Sequence, residues 1–272
     1  MLNQRTARLI HFGSLYFAQG AILAHFMTFN LLYLRAQGLT TTDIGIFQAT
    51  LVLPFILKIL LGLFSDRFSL LGLGHRSPYI MLGLLLQIGC FVWLPEILLP
   101  GGLTTFFTVS LLASVGMALY DTCTDGLAVE TTPEHERALV QGIMVGARAA
   151  GILVALLLGG WLADRFGWAA VFHLVAALGL PALLLNGLFW HRDAQRPMGD
   201  FSWQAFRALG RRGVKVVALM GIIYTMALDG VLSFLSLHPD ALSMTEIGMV
   251  SGLVAISMVG RIGGALTSGR LS

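Results

Sequence analysis

Apolar residues gather into eight stretches long enough to cross a lipid bilayer: 9–33, 44–64, 78–98, 103–130, 138–162, 168–189, 215–237 and 244–268. A hydrocarbon core about 30 Å thick takes about 20 helical residues. The segments between them are short, polar and rich in arginine. The pattern predicts an all-α polytopic membrane helix bundle. The first stretch follows Arg5 and Arg8 and could pass for a signal peptide. It is about 25 residues long, and no small-x-small cleavage site follows it. It therefore reads as a retained first helix.

Composition narrows the class further. Of 272 residues, 56% are hydrophobic and 11% charged, against about 25% charged in soluble domains; mean hydropathy is +0.81. A soluble enzyme, a disordered tail and a nucleic-acid module are excluded. The 32 glycines suit helices packed backbone to backbone in lipid. Cys90 and Cys123 lie in apolar runs and form no disulfide framework.

The 17 Lys and Arg residues set the orientation. With the N-terminus inside, Arg5, Arg8, Arg67, Arg76, Arg137, Arg192, Arg196, Arg207, Arg211, Arg212, Lys215 and Arg270 fall on the cytoplasmic side. Only Arg35 and Arg165 fall outside, and Lys58, Arg148 and Arg261 lie within spans. Such a bias follows the positive-inside rule and predicts a cytoplasmic N-terminus in an inner (plasma) membrane. The basic balance is thus a membrane address, since no basic face with stacking aromatics marks a nucleic-acid partner.

An internal match adds architecture. Residues 38–69 align without gaps on 241–272, an offset of 203. Asp43 matches Glu246, Gly45 matches Gly248, Lys58 matches Arg261 and Arg67 matches Arg270. An acidic residue at a helix entrance is explained locally by the macrodipole; a cation recurring at the same depth is not. Both copies are second helices of a unit, so the repeat is parallel and predicts two six-helix halves. The reading gives an N-terminal six-helix half over 1–189, a cytoplasmic linker over 190–213 and the first two helices of a C-terminal half over 214–272. The linker carries five arginines, with Trp203, Phe206 and Leu209 on one face of a short helix suited to the membrane surface. A period of 203 predicts a protein of roughly 400 residues, of which four helices lie beyond Ser272.

The segment Gly62-Leu-Phe-Ser-Asp66-Arg67-Phe68, followed by Gly74-His75-Arg76, resembles the loop between helices two and three of the major facilitator superfamily, G-x-x-x-D-R-x-G-R-R. Here Ser69 to Leu73 are inserted, and His75 stands where a basic residue is usual. This spacing, Leu57-Lys58, and the stretch Asp121-Thr-Cys-Thr-Asp125-Gly-Leu-Ala-Val-Glu130 are similar to AmpG-type muropeptide permeases and their acetyl-CoA and folate–biopterin relatives. The resemblance covers nearly the whole chain. It implies the major facilitator fold and a cytoplasmic gate built from Gly62, Asp66, Arg67, His75 and Arg76. Read without the family, Asp66 and Arg67 either pair with neighbouring helix ends, so that breaking the pairs lets two halves rock, or merely stop a span.

Several polar residues lie inside the spans. Asp121 and Asp125, four apart, share one helix face, and carboxylates in a bilayer face a cavity or a partner. Arg148, about ten residues or roughly 15 Å from the inner end of its helix, is at a matching depth, which predicts an Asp121–Arg148 pair. Its role is either proton or substrate binding or a structural tie. Lys58 either lines the cavity or snorkels. Gln19 binds solute or bonds between helices, and His25 and Asp229 are weaker candidates. Two stripes of small residues, Gly142, Gly146 and Ala150 beside Gly151, Ala155, Gly159 and Ala163, predict close helix packing, as do Gly260 and Gly264.

Together these features predict a secondary transporter working by alternating access, coupled to protons, for a small anionic or amphipathic solute, with no cofactor. No G-x-x-x-x-G-K-S/T loop marks ATP hydrolysis. One alternative is a non-transporting superfamily member that handles pigment or assembles other membrane proteins. Another is a prenyltransferase-type enzyme using Asp121 and Asp125 to hold Mg²⁺. That chemistry needs a second D-x-x-x-D motif, which the chain lacks.

Overall fold

The computed structural model describes residues 3–190 together with 210–216, 219, 220 and 223, and the regular elements among them are all helical. Six helices are long and apolar enough to cross a membrane: α1 (Gln4–Ala36), α2 (Thr41–Arg67), α3 (Ser77–Glu96), α4 (Leu103–Thr131), α5 (Glu134–Phe166) and α6 (Trp168–Leu188). They correspond to the first six apolar stretches. Several run past the apolar stretch, as α1 does at both ends and α5 does as far as Phe166. Hydropathy marks the lipid-immersed part of a helix, whereas backbone hydrogen bonding continues into its polar ends. The predicted spans 215–237 and 244–268, the second copy of the repeat with Arg261 and Arg270, Asp229, and most of the linker lie outside the described residues.

Local chemistry sets the ends. Thr40 and Asp43 form a capping box at the start of α2: Asp43 N donates to Thr40 Oγ1 at 3.2 Å and Thr40 N to Asp43 Oδ2 at 3.3 Å. Both donors would otherwise be unpaired at a helix start. Between α5 and α6, Gly167 adopts φ +79°, a left-handed conformation that glycine takes at little cost, and the chain reverses there.

Two helices depart from regular geometry, both at positions that bear on the interior. α1 has a π-helical turn at His25–Phe29. The Phe26 carbonyl in that turn accepts from Gln48 Nε2 of α2. A π-turn loosens the intrahelical ladder, and a neighbouring helix supplies the partner. α2 contains Pro54 and divides at Leu57 into Thr41–Ile56 and Lys58–Arg67. Proline removes a donor from the ladder, and Ser114 of α4 donates to the Leu51 carbonyl at 2.6 Å close by.

α1 is the central helix. It packs along α5 and α6 and reaches α4; α3 packs against α4 and α6; α2 rests chiefly on α4. Of the most apolar window of each span, 83% is buried in α1 and 22% in α2. The interior is aromatic around the C-terminal part of α1, where His25 sits 4.8 Å from the Phe91 ring and 4.7 Å from Phe172. His25 is buried among these rings, its Nδ1 without a hydrogen-bond partner among the described residues.

Glycine allows the tightest crossings. A Cβ on Gly20 of α1 would overlap the Arg148 carbonyl and lie 2.8 Å from Ile152 N of α5. A Cβ on Gly151 would overlap the Phe17 carbonyl in return. Gly83 and Gly116 repeat the arrangement between α3 and α4. The stripe Gly151, Ala155 and Gly159 therefore faces α1, with Gly159 against the Phe29 ring. In the other stripe, a Cβ on Gly146 would meet nothing within 4 Å.

Candidate functional site

Three helices, α1, α2 and α5, converge on the two aspartates of α4. Asp121 is buried, its side chain 5% exposed, whereas the Asp125 side chain is 47% exposed. One helical turn separates them, so one carboxylate is sealed in the bundle while the next meets the open side. From α1, Gln19 Nε2 donates to Asp121 Oδ1 and the Tyr16 hydroxyl donates to Asp125 Oδ1. Tyr16 and Gln19 are three residues apart, hence on one face of α1. They form two rungs between antiparallel helices.

From α2, the Lys58 ammonium donates to Asp121 Oδ2 and lies 4.0 Å from Asp125 Oδ2. Lys58 is the first residue after the break at Leu57. The discontinuity thus sets where this cation sits on α4.

Arg148 does not form the predicted pair with Asp121. Asp121 is held by Lys58 and Gln19, and the Arg148 guanidinium carbon lies 4.8 Å over the Tyr16 ring. Matching depth on adjacent helices placed Arg148 near the carboxylates, but the sequence could not reveal which cation the break in α2 would deliver first. Among the described residues Arg148 makes no ion pair, and its Nε is buried without a hydrogen-bond partner. Gln19 Oε1 is likewise buried and unpartnered. Buried polar atoms without partners are costly. The Arg148 nitrogen is a donor and the Gln19 oxygen an acceptor, so together they suit a polar group that both accepts and donates hydrogen bonds. The Lys58 ammonium also competes with any Mg²⁺ for the two carboxylates, which weighs against the metal-dependent alternative.

A second cluster lies at the end of the bundle where α2, α3 and α4 meet. Arg76, buried at the start of α3, pairs with Asp66 at 2.5 Å and with Glu130 of α4 at 2.7 Å; its Nε reaches Glu130 at 3.1 Å and its Nη1 donates to Ser65 Oγ at 3.1 Å. Burial works against the Arg76 charge, but the Glu130 and Asp66 carboxylates outweigh it and hold the guanidinium protonated above its usual range. A planar fork with several donors suits this multiple pairing better than an ammonium would. Gly62 brings α2 against α4, its Cβ position 3.3 Å from Thr122 Cγ2.

Of the gate residues named from the motif, Asp66 and Arg76 meet. His75 is part-buried, and Arg67 is exposed with no ion pair among the described residues. Glu130, Ser65 and Gly126 join the cluster without having been singled out. Glu130 ended the acidic stretch of α4 already noted, and its phase on the helix was the available signal. Gly126 gives Arg76 its room, since a Cβ there would stand 2.6 Å from the guanidinium carbon. Gly126→Val is expected to expel Arg76 from the cluster. Measured by thermal melting, Gly126→Val and Glu130→Gln should then be non-additive, the double variant melting no lower than the worse single. Additive losses would show that Arg76 keeps Glu130 when Gly126 is filled.

A third tie closes the same end. Arg8 of α1 pairs with Glu136 at 2.7 Å and donates to the Thr131 carbonyl at 2.8 Å, with Arg5 3.5 Å from Glu136. The N-terminus and the α4–α5 loop therefore share one end of the molecule with the α2–α3 loop.

Known proteins resemble this chain along its length. A folate–biopterin transporter of Synechocystis sp. is 27% identical over 216 residues, which cover 75% of this chain and 43% of that protein. An uncharacterized protein in the puhA-bchM intergenic region of Rhodobacter capsulatus is 32% identical over 161 residues, covering 54% and 33%. The matched stretches span less than half the length of either relative. The in meso crystal structure of the POT family transporter PepTSo superposes with a TM-score of 0.57, covering 100% of this chain and 55% of that one at 15% identity. That likeness speaks to fold alone. The Major Facilitator Superfamily profile matches residues 12–272. The helices, the loop cluster and the profile agree: this multi-pass membrane chain belongs to the Major Facilitator Superfamily.

Proposed function

We infer that the chain is part of a secondary transporter that moves a small anionic solute by alternating access, coupled to protons. The observation that carries this reading is the cluster on α4. A buried carboxylate, Asp121, is paired with Lys58, a second carboxylate, Asp125, is half open, and Arg148, without an ion pair among the described residues, stands beside them. In this reading Arg148 and Gln19 contact solute, Asp125 exchanges protons at the open side, and Lys58 ties Asp121 to α2. Protonation of either carboxylate weakens its hold on Lys58. The broken helix α2 could then shift on α4, its main support. Arg76, Asp66 and Glu130 close the cytoplasmic end, with the N-terminus on that side of an inner membrane.

The folate–biopterin transporter among the relatives supports a pterin conjugate as the solute class; folate carries the anionic groups that Arg148 suits. The resemblance to AmpG-type permeases extends the class to muropeptides and acyl-carrying cofactors. Proteoliposomes containing the chain should accumulate labelled folate when the medium is more acidic than the lumen, and a protonophore should abolish the accumulation. Uptake that ignores the pH gradient would remove proton coupling from the reading.

A further inference from the structure

Tyr16 touches both halves of the charge cluster with different parts of one side chain. Its hydroxyl donates to Asp125, and its ring lies beneath the Arg148 guanidinium at 4.8 Å. It is 5% exposed, and the α1–α5 crossing fixes its surroundings, because Phe17 and Gly20 abut the α5 backbone at Gly151 and Arg148. We propose that Tyr16 is the coupling residue of this site, joining the cation that receives an anionic solute, Arg148, to the carboxylate that exchanges protons, Asp125. The inference rests on the function proposed above.

The physical chain is short. A cation over the ring draws electron density from the phenol and makes its hydroxyl a better donor to an ionised Asp125. A charge-assisted hydrogen bond from Arg148 to an anion is stronger than its contact with the ring. A bound anion therefore takes the guanidinium from the ring or cancels its charge there. The Tyr16 hydroxyl then donates less strongly, and the ionised form of Asp125 loses support. Solute binding and proton uptake favour one another, and linkage makes that effect reciprocal. The other charged groups acting on Asp125 are Lys58 of α2 at 4.0 Å, Asp121 on its own helix, and Arg148 of α5. Among the described residues α3 and α6 place no charged group on it. Lys58 is shared with Asp121, and among the described residues Tyr16 is the side chain that touches both Asp125 and Arg148.

Tyr16→Phe keeps the ring under Arg148 and deletes the hydroxyl. Folate binding to the full chain in nanodiscs, measured between pH 5.5 and 7.5, should weaken by about tenfold in the wild type as the linked proton is lost. In Tyr16→Phe the change should fall below about twofold, with affinity at pH 7.5 held within about threefold. Asp125→Asn should flatten the profile as well, and adding Tyr16→Phe to it should change nothing further. A Tyr16→Phe variant that binds more weakly by the same factor at every pH, with the wild-type slope intact, makes Tyr16 a structural residue and overturns the inference alone. If Tyr16→Phe does not fold, the Asp125→Asn profile decides: a slope that persists without the carboxylate overturns the inference. A wild-type chain that binds no folate, or binds it equally across the range, overturns the proposed function and this inference with it.

Discussion

Asp121→Asn is expected to lower proton-driven folate uptake by about 30-fold and to remove most of its dependence on pH. The side chain is buried and accepts from both Gln19 and Lys58. Neutralising it leaves the Lys58 ammonium beside Asp125 alone, 4.0 Å away. Deleting one partner of a fully buried ion pair costs about 3–5 kcal/mol. Lys58 keeps 29% side-chain exposure, so solvent reduces the figure to about 2 kcal/mol, which corresponds to roughly 30-fold. A structural ion pair and a proton-carrying carboxylate both predict a loss, and a second substitution separates them. Asp121→Asn combined with Lys58→Gln removes both charges and should restore much of the thermal stability. If Asp121 serves the proton, the pH dependence stays lost in that double variant. Should the double variant transport with the wild-type pH profile, Asp121 is only a tie between α2 and α4.

The largest stability effects are expected at the α1–α5 crossing. Gly20→Ala and Gly151→Ala each place a methyl group into backbone atoms of the facing helix: the Arg148 carbonyl and Ile152 N in one case, the Phe17 carbonyl in the other. Backbone cannot rotate away as a side chain can, so the helices must separate. Overpacking of this kind costs about 1–3 kcal/mol, or roughly 3–10 °C in melting temperature for a domain of this size. Gly146→Ala on the same helix is the control. Its methyl group would meet nothing within 4 Å, and alanine favours helix by up to about 1 kcal/mol over glycine. Its melting point should hold or rise slightly. Equal losses at Gly146 and Gly151 would mean that helix propensity, not the crossing, sets the response. The crossing also bears on the site, since the Gly20 contact fixes the depth of the Arg148 backbone.

The small-residue stripes show how far periodicity reaches. Spacing of four put Gly151, Ala155 and Gly159 on one face, and that face packs on α1. The same spacing held for Gly142, Gly146 and Ala150, yet Gly146 has open space around it. Periodicity reports that a smooth face exists. Which neighbour covers it depends on how the other helices are arranged, and no local pattern encodes that.

Hydropathy determined, from the residues alone, the lipid-immersed character of this protein and its first six spans. Each of these is a transfer energy acting on one segment at a time. Asp121 and Asp125 were legible as candidates for the same reason, since a carboxylate among apolar residues is anomalous wherever its helix lies. Partner choice belonged to the tertiary structure. The break at Leu57 and the crossing at Gly20 gave Asp121 to Lys58 and laid Arg148 over Tyr16, and the space at Gly126 let Arg76 reach Glu130. Those pairings turn on distances of a few ångströms between helices far apart in sequence. At that range a shift of one turn exchanges one cation for another without altering the hydropathy of either helix.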